Sequence, residues 1–432
     1  MKNFLIVGGG IVGITAAYFA KKSNNQVTLI EADDRLGGLL KSDCNEAGCF
    51  DYGTHVATKT GLNELDDFLF SDFTDENSHQ FDIAKSGNFF AGKLSDISPF
   101  VNTNYLTKAI YEKGRLELLK GNNNLGINLK ETLINRYGDT FYQAIFKDVI
   151  NKFFGCDAQD LANECLNFFD MNRLLAFDKE TTLIKKKDEE IDKKIGFHTF
   201  SKGVDKIYPK QGGIGQWTTY LEKKLVEQGV SIQTQAQITD ITSQDNKFFV
   251  TIDNQVLEAD ELVWTLSSGL LNRFIPTGIV GNKPDFRKTA IYDLVFDKPL
   301  NTDSCYINVY DKDYLSSRIT CYQNLQKEKN FYACSVEVLN ENSFNFEEAI
   351  NNIEQELFKI GLVEKDSQCL FRQCRILKEG FPSLTNKSVE ALGCLNRYYE
   401  KKYKNITLLG RSSAKGFFMS ELLTIAYQEM KK

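Results

Sequence analysis

Residues 3–38 decide the fold, and they read NFLIVGGGIVGITAAYFAKKSNNQVTLIEADDRLGG. The continuous apolar run at 3–7 ends in glycines, which is typical of a buried parallel strand. Residues 11–22 then predict a helix, and the apolar run at 26–30 predicts a second strand. Together these segments make a βαβ unit, which indicates an α/β fold with a parallel sheet.

The turn between the first strand and the helix carries the pattern Gly8-x-Gly10-x-x-Gly13. Gly8 permits the tight turn, Gly10 lets the backbone approach a pyrophosphate, and Gly13 lets the helix pack closely on the strand. The phosphates of a dinucleotide would then lie on the free N–H groups at the helix start, where Ile11 and Val12 stand.

Glu31 ends the second strand, eighteen residues after Gly13. A carboxylate at this place can accept hydrogen bonds from the ribose hydroxyls of an adenosine, and it would repel a 2′-phosphate. The alternative is a glycine-rich turn that binds no ligand. The complete βαβ context favours the dinucleotide over that alternative.

A second group of residues follows the second strand directly, with Arg35 ahead of the doublet Gly37-Gly38. The doublet lets the backbone approach a further section of the cofactor, and Arg35 can reach a phosphate. A nicotinamide-binding domain has no need of this second glycine site, so the sequence favours FAD. The flanking Ala32 and Leu39 belong to the same predicted contact.

Composition excludes several classes of protein. The 432 residues include 52 Lys and Arg against 58 Asp and Glu, a net charge of −6, which argues against nucleic-acid binding. No apolar run is long enough for a transmembrane helix. Ten cysteines at irregular spacings and three histidines argue against a zinc site, so no metal is predicted. Free thiols and a cytoplasmic location are expected instead.

The rest of the chain predicts a helical segment followed by strands. Between 100 and 170 one helix is capped by Asn128 and ended by Gly138, and the next runs from Asp139 to Gly155. Strands are predicted at 230–241, 247–252, 261–266, 289–297, 331–338 and 405–409.

The order of these motifs resembles that of the FAD-dependent amine oxidase superfamily, which includes monoamine oxidases, protoporphyrinogen oxidases, carotenoid desaturases and UDP-galactopyranose mutases. GGGIVG and E-x3-R-x-G-G carry the first part of the resemblance. Further matches to the protoporphyrinogen oxidase-like and mutase-like branches are FDYGTH at 50–55, KFFG at 152–155, YPKQGGIG at 208–215 and NITLLGR at 405–411.

The resemblance implies a two-lobed FAD-binding fold of the Rossmann type, with a mixed-sheet substrate domain and a helical insertion. The predicted FAD-binding domain is discontinuous and consists of 1–60, 200–268 and 385–432. The predicted substrate-binding domain consists of 61–199 and 269–384, with the helical insertion at 100–170.

The resemblance also implies a set of site residues. The helix from Met419 would point its N-terminus at the pyrimidine edge of the flavin and favour negative charge there. Non-covalent FAD is expected, because no cysteine adjoins the Gly410-Arg411 motif. The further cofactor contacts that the resemblance implies are Gly53, Thr54, His55, Ile238, Gly410 and Arg411. His55 and Arg318 are the candidate catalytic residues; a turn histidine and an ion-pair arginine are the alternatives.

The implied activity is hydride transfer between a small-molecule substrate and the flavin N5, with a nucleotide-activated sugar as one candidate substrate. A redox-neutral sugar mutase that uses reduced flavin is an alternative, although Ala57 stands where such mutases carry an aromatic residue. A non-catalytic FAD-binding protein is a second alternative. Peripheral membrane contact through the mixed apolar and basic segment 100–120 also stays open, as do the substrate's identity and the oligomeric state.

Overall fold

The computed structural model describes residues 1–198, 205–279, 284–328, 330–377 and 380–432. Its strands are β1 Asn3–Val7, β2 Gln26–Ile30, β3 Ser42–Asn45, β4 Gly48–Asp51, β5 Ala57–Thr58, β6 Ser78–Phe81, β7 Ser86–Phe90, β8 Lys93–Ser95, β9 Lys206–Pro209, β10 Ser231–Gln233, β11 Ile238–Gln244, β12 Lys247–Ile252, β13 Gln255–Ala259, β14 Glu261–Trp264, β15 Asp285–Phe296, β16 Tyr306–Val309, β17 Ser316–Cys321, β18 Tyr332–Asn340, β19 Cys369–Ile376, β20 Phe381–Ser383 and β21 Ile406–Leu408.

The helices lie between these strands in the chain, in one region with six helices in succession from α3 to α8. They are α1 Ile11–Lys22, α2 Asn63–Phe70, α3 Lys108–Lys120, α4 Leu129–Tyr137, α5 Asp139–Phe141, α6 Lys147–Phe154, α7 Lys179–Lys185, α8 Glu189–Asp192, α9 Gly215–Glu227, α10 Ser268–Phe274, α11 Tyr322–Leu325, α12 Ile350–Ile360, α13 Asn386–Lys402 and α14 Met419–Met430.

A five-stranded parallel sheet in the order β10-β2-β1-β14-β21 forms the first lobe. The predicted βαβ unit is confirmed, because β1, α1 and β2 have the expected bounds. Helix α1 packs tightly against the first strand's turn: a Cβ built on Gly13 would lie 1.9 Å from the carbonyl oxygen of Gly8. The sheet therefore presents the start of α1 at the carboxyl ends of its strands, where ligands of such sheets bind.

An eight-stranded mixed sheet forms the second lobe, with the order β19-β15-β18-β17-β16-β7-β8 and β20 paired to β15. Side chains alternate between its two faces along each strand. Ile307, Ile319 and Val336 belong to an apolar core that also includes residues of α12. The register places Asn308, Arg318 and Glu337 opposite one another across β16, β17 and β18, and these three side chains form what we call the polar row.

The helical insertion follows the sequence prediction with one addition. Asn128 caps α4 through a hydrogen bond from the Glu131 N–H, Gly138 ends α4, and Gly155 ends α6 in a left-handed conformation. A π-helical turn at Tyr142–Phe146 joins α5 to α6 within the segment predicted as one helix from Asp139 to Gly155. No described helix is long and apolar enough to cross a membrane.

The expectation that all cysteines are free thiols is wrong for one pair. Cys44 and Cys49 form a disulfide, and the other eight cysteines are free. Strands β3 and β4 form an antiparallel hairpin whose register places Cys44 directly opposite Cys49. Irregular spacing concealed this pair, because only the hairpin brings the two side chains together.

Some strands differ from the prediction. The stretch predicted as one strand at 230–241 is two short strands, β10 and β11, which belong to different sheets. Strands β16, β17 and β19, which carry much of the second lobe, had no predicted counterpart. The predicted start of the second FAD-binding segment at residue 200 lies outside the described residues, and the domain limits stay a prediction.

Candidate cofactor and substrate site

The turn after β1 leaves room for a phosphate. Gly8 has a left-handed φ of +102°, and its N–H donates to the carbonyl of Ile30 at 2.9 Å. A Cβ built on Gly10 would meet nothing within 4 Å, so the space in front of this residue is open. Ile11 and Val12 follow in the first turn of α1, where N–H groups lack intrahelical partners. These features fit a pyrophosphate at the helix start.

The second glycine site adjoins the first. Gly37 pairs with Gly10 in a parallel bridge and donates its N–H to the carbonyl of Gly9 at 2.8 Å. A Cβ on Gly38 would lie 3.3 Å from the Gly10 Cα, and both residues of the doublet have positive φ. The structure thus brings the two glycine motifs together, as the sequence predicts for a cofactor that spans both.

Charged residues near these glycines are held by the protein itself. Glu31 accepts hydrogen bonds from the N–H groups of Gly9 at 2.6 Å and Asp33 at 2.9 Å, which fixes the carboxylate at the end of β2. Arg35 pairs with Asp43 at 2.6 Å, so a phosphate contact would require this guanidinium to leave or share its partner. Ala32 and Leu39 are exposed nearby, and the half-buried Ile238 begins β11.

A buried carboxylate ties two of the sequence motifs together. Asp51, in the FDYGTH stretch, accepts hydrogen bonds from the Ser42 and Tyr208 hydroxyls, each at 2.6 Å, and from the Ile214 N–H at 2.9 Å. Burial raises the pKa of Asp51 to about 6 against these opposing hydrogen bonds. Because Tyr208 and Ile214 lie in the YPKQGGIG loop, one side chain fixes the relative position of both motifs.

The residues after Asp51 meet the polar row. The Thr54 N–H donates to Glu337 Oε1 at 3.0 Å, and Arg318 donates to both oxygens of Glu337 at 2.9 Å each. Gly53 has a φ of +115°, and a Cβ on it would lie 3.4 Å from the same Glu337 oxygen. Glu337 is therefore the acceptor that joins the turn at Gly53 to Arg318. Sequence reasoning missed it.

His55 is uncharged at neutral pH. Burial lowers the pKa of His55 to about 4, and the positive charges of Arg318 and Arg411 lower it further, against the opposing charge of Glu337. The residue as a whole is half-buried. The structure thus brings the two candidate catalytic residues, His55 and Arg318, into one electrostatic cluster.

Arg411 completes this cluster from the C-terminal motif. It follows Gly410 after β21, is exposed, and lies over the Phe417 ring at 4.9 Å from its centre. Among the described residues, no carboxylate lies within 4.0 Å of its guanidinium. Although the side chain keeps access to solvent, the protein packed around it lowers the pKa of Arg411, and the charge of Arg318 adds to this effect.

Helix α14 begins at Met419, as predicted. The N–H groups of Phe417 and Phe418 donate to the carboxylate of Glu421 at 2.9 and 3.1 Å. The negative charge of Glu421, in the first turn, partly neutralises the partial positive charge at the start of the helix. The predicted preference for negative charge at this helix start is correspondingly weaker, and it stays a prediction.

Comparison with known proteins relates this site to characterised folds. The family described as "NAD(P)-binding Rossmann-like domain" matches residues 6–69. Coproporphyrinogen III oxidase of Staphylococcus aureus is 25% identical over 295 residues, which are 63% of this chain. The match spans 62% of that relative's length.

Two solved structures overlap nearly the whole chain. Reduced UDP-galactopyranose mutase superposes with a TM-score of 0.81 at 16% identity, covering 100% of this chain and 95% of that one. Putrescine oxidase bound to putrescine superposes with a TM-score of 0.65 at 14% identity, covering 100% and 98%. The chain is thus similar to oxidases and to a mutase of the kind whose motifs its sequence resembles. Its fold is the two-lobed α/β fold that the sequence predicts.

FAD is the cofactor that the resemblance implies, and the described residues fit it. The open space at Gly10, the adjoining doublet Gly37-Gly38 and the fixed carboxylate of Glu31 suit the adenosine and pyrophosphate. Gly53, Thr54 and His55 meet Arg318 through Glu337, and Arg411 lies close enough to affect His55. The individual contacts of these residues with FAD stay predictions.

Proposed function

We propose that the chain is an FAD-dependent oxidoreductase that oxidises an anionic small molecule by hydride transfer to the flavin N5. The observation that carries this proposal is the grouping of His55, Arg318 and Arg411 beside the motifs that resemble the superfamily's flavin-binding segments. FAD, when bound, supplies a two-electron acceptor, while the protein binds the substrate, orients it and excludes water.

The charges of this cluster support an anionic substrate. Arg318 is neutralised by its paired carboxylate, whereas the guanidinium of Arg411 is exposed and has no carboxylate partner among the described residues. A guanidinium in this state binds carboxylates and phosphates through two parallel hydrogen bonds. The neutral ring of His55 can donate or accept a hydrogen bond without adding charge.

Two substrate classes have the required charge. A nucleotide-activated sugar carries a diphosphate, and the porphyrinogen named for the Staphylococcus aureus relative carries carboxylates. A cationic amine, such as the putrescine bound in one structural neighbour, does not fit an unpaired arginine. Substrate charge is therefore the property that separates the candidates.

The redox-neutral sugar mutase remains the second candidate. Its support is the superposition of the whole chain on UDP-galactopyranose mutase. At 16% identity, this superposition supports a shared fold only. Ala57, buried in β5, provides no aromatic surface at the position where the resemblance expects one.

The test uses the full chain reconstituted with FAD under anaerobic conditions. Coproporphyrinogen III, UDP-galactopyranose and putrescine are added separately, and the flavin absorbance and the product mass are recorded. We expect an anionic compound to bleach the flavin and to lose hydrogen. Bleaching by putrescine alone would contradict the proposal.

The remaining outcomes point to the alternatives. Conversion of UDP-galactopyranose at unchanged mass, seen only after dithionite reduction, would establish the mutase. Tight FAD binding without bleaching or conversion by any compound would establish a non-catalytic flavoprotein.

Non-covalent attachment and a cytoplasmic location belong to the same proposal. The nearest upstream cysteine to Arg411 is Cys394, in helix α13, which supports attachment without a thioether. Acid precipitation should release all of the flavin into the supernatant. Eight free cysteines support a reducing compartment, although the Cys44–Cys49 disulfide shows that the chain also accommodates an oxidised pair.

A further inference from the structure

Two consecutive left-handed residues lie beside Arg318. Phe169 has a φ of +52° and Asp170 a φ of +53°, although neither is glycine. A left-handed conformation is strained for a residue with a side chain and persists only where its surroundings fix it. Here the Tyr310 hydroxyl donates to the Phe169 carbonyl at 2.8 Å, and the Phe153 ring stacks on Phe169 at 4.1 Å.

This turn holds the Asp170 carboxylate through one oxygen only. Oδ2 accepts hydrogen bonds from Asn308 Nδ2 at 2.8 Å and from the Tyr306 hydroxyl at 3.2 Å. Among the described residues, no donor contacts Oδ1, and the side chain is partly exposed. The carboxylate is thus fixed in orientation with one oxygen left available.

We call the group of His55, Arg318 and Arg411 the flavin-face cluster, and the polar row connects Asp170 to it. Asn308, which holds its carboxylate, is the register partner of Arg318, and Arg318 pairs with Glu337. The Arg318 guanidinium lies 5.5 Å from the centre of the Phe169 ring. The strained turn therefore lies next to Arg318, the arginine whose charge lowers the pKa of His55.

Two other acid or base groups of the cluster are weak proton acceptors. Burial alone would raise the pKa of Glu337, but the charge and hydrogen bonds of Arg318 keep it below its usual range. The pKa of His55 is about 4, so its neutral ring is a weak base. Burial raises the pKa of Asp170 against the hydrogen bond from Asn308, which strengthens this carboxylate as a base.

We propose that Asp170 is the base that accepts the proton released by the substrate during oxidation. This inference rests on the proposed oxidoreductase function. The substrate C–H hydrogen leaves as a hydride, with two electrons, to oxidised FAD as the oxidant. The proton of the adjoining N–H or O–H group passes to Asp170 Oδ1, and a C=N or C=O bond forms.

Several titratable or charged groups face Asp170 and belong in the interpretation of any pH profile. They are Arg318 in β17, Tyr306 in β16, Tyr310 directly after β16, and Lys206 in β9. Burial raises the pKa of Tyr306 and of Tyr310, so neither phenol ionises in the acid range. We call the rise of the bleaching rate with pH in the acid range the acid limb. If the acid limb disappears when Asp170 is replaced, it can therefore be assigned to this carboxylate.

The experiment compares Asp170→Asn and Asp170→Glu with the matched control Asp313→Asn, which alters an exposed aspartate of the same lobe. The anaerobic rate of flavin bleaching is measured across pH with whichever of the three compounds bleaches the wild-type holoenzyme. We expect Asp170→Asn to slow bleaching about 10²- to 10³-fold and to abolish the rise of the rate with pH. Asp170→Glu should restore part of the rate and the acid limb.

Two further readouts do not depend on turnover. The FAD dissociation constant should change less than about twofold in Asp170→Asn, because the asparagine keeps an acceptor for Asn308. Infrared spectra of the holoenzyme recorded in acid and at neutral pH should show a protonated-carboxyl band that this variant lacks. Should Asp170→Asn not fold, Tyr306→Phe, which removes one hydrogen bond to Oδ2, should shift the acid limb.

The contrary results are separable. If Asp170→Asn bleaches as fast as Asp313→Asn and keeps the acid limb, Asp170 is not the base, while the oxidoreductase function stands. If no compound bleaches even the wild-type flavin, the proposed function fails, and this inference fails with it.

Discussion

The two halves of the site are built in different ways. The dinucleotide turn uses residues from one short stretch, Gly8 to Gly38, and β1, α1 and β2 position all of them. The flavin-face cluster draws His55 from the segment after β4, Arg318 from β17 and Arg411 from the turn after β21. The first half is local in the sequence, whereas sheet register assembles the second.

This difference determines how each half responds to change. A local turn fails when a single added carbon clashes with a backbone atom, as the Gly8 carbonyl oxygen would clash with a Cβ on Gly13. An assembled cluster fails when a shared acceptor is lost, because several elements depend on it. Glu337 is such an acceptor, since it receives hydrogen bonds from Thr54 and from Arg318.

The largest effect is expected at the local turn. Gly13→Ala places a Cβ 1.9 Å from the Gly8 carbonyl oxygen, so strand and helix must separate. We expect the free energy of unfolding to fall by about 3 kcal/mol, measured by chemical denaturation. An unchanged stability would show that the turn tolerates movement.

The assembled cluster should respond nearly as strongly to Glu337→Gln. The glutamine keeps the shape but leaves the charge of Arg318 uncompensated, at a cost of about 2 kcal/mol. Glu354→Gln is the matched control, because its partner Arg372 is more exposed than Arg318, 45% against 26% of the side chain. The loss there should stay below about 1 kcal/mol. Equal losses in the two variants would contradict a shared-acceptor role.

Gly10→Ala separates cofactor binding from folding. Gly10 has a φ of −70°, and its added Cβ meets no atom within 4 Å, so the fold should keep its melting temperature. A pyrophosphate in that space would clash with the methyl group. We expect FAD affinity to fall about tenfold in calorimetric titration. An unchanged affinity would place the pyrophosphate elsewhere.

The smallest effect concerns His55. Its folded-state pKa of about 4 lies below the ordinary 6.5, so the unfolded chain takes up the proton first. Its contribution to stability is therefore complete above pH 6.5 and is lost as the pH falls toward 4. His55→Gln should flatten that part of the stability profile. In proton NMR, the ring should not titrate between pH 6 and 8, and titration in that interval would contradict the account.

The same contrast explains what the sequence could reveal. The bounds of β1, α1 and β2 and the start of α14 at Met419 follow from apolar runs, glycines and motif order, which are local signals. Glu337 and Asp170 lack such a signal, because their roles depend on the pairing of β16, β17 and β18 and on a left-handed turn. In β18 the polar residues Ser335 and Glu337 alternate with apolar neighbours, and this alternation is a weak local signal for Glu337.

The central claim is that these two halves hold one FAD between them. The most direct measurement is the absorbance spectrum of the purified full chain after incubation with FAD and removal of the free cofactor. The account predicts the two visible bands of an oxidised flavin at one FAD per chain, lost on anaerobic reduction with dithionite. A protein that retains no flavin, and instead binds NAD at the same turn, would contradict it.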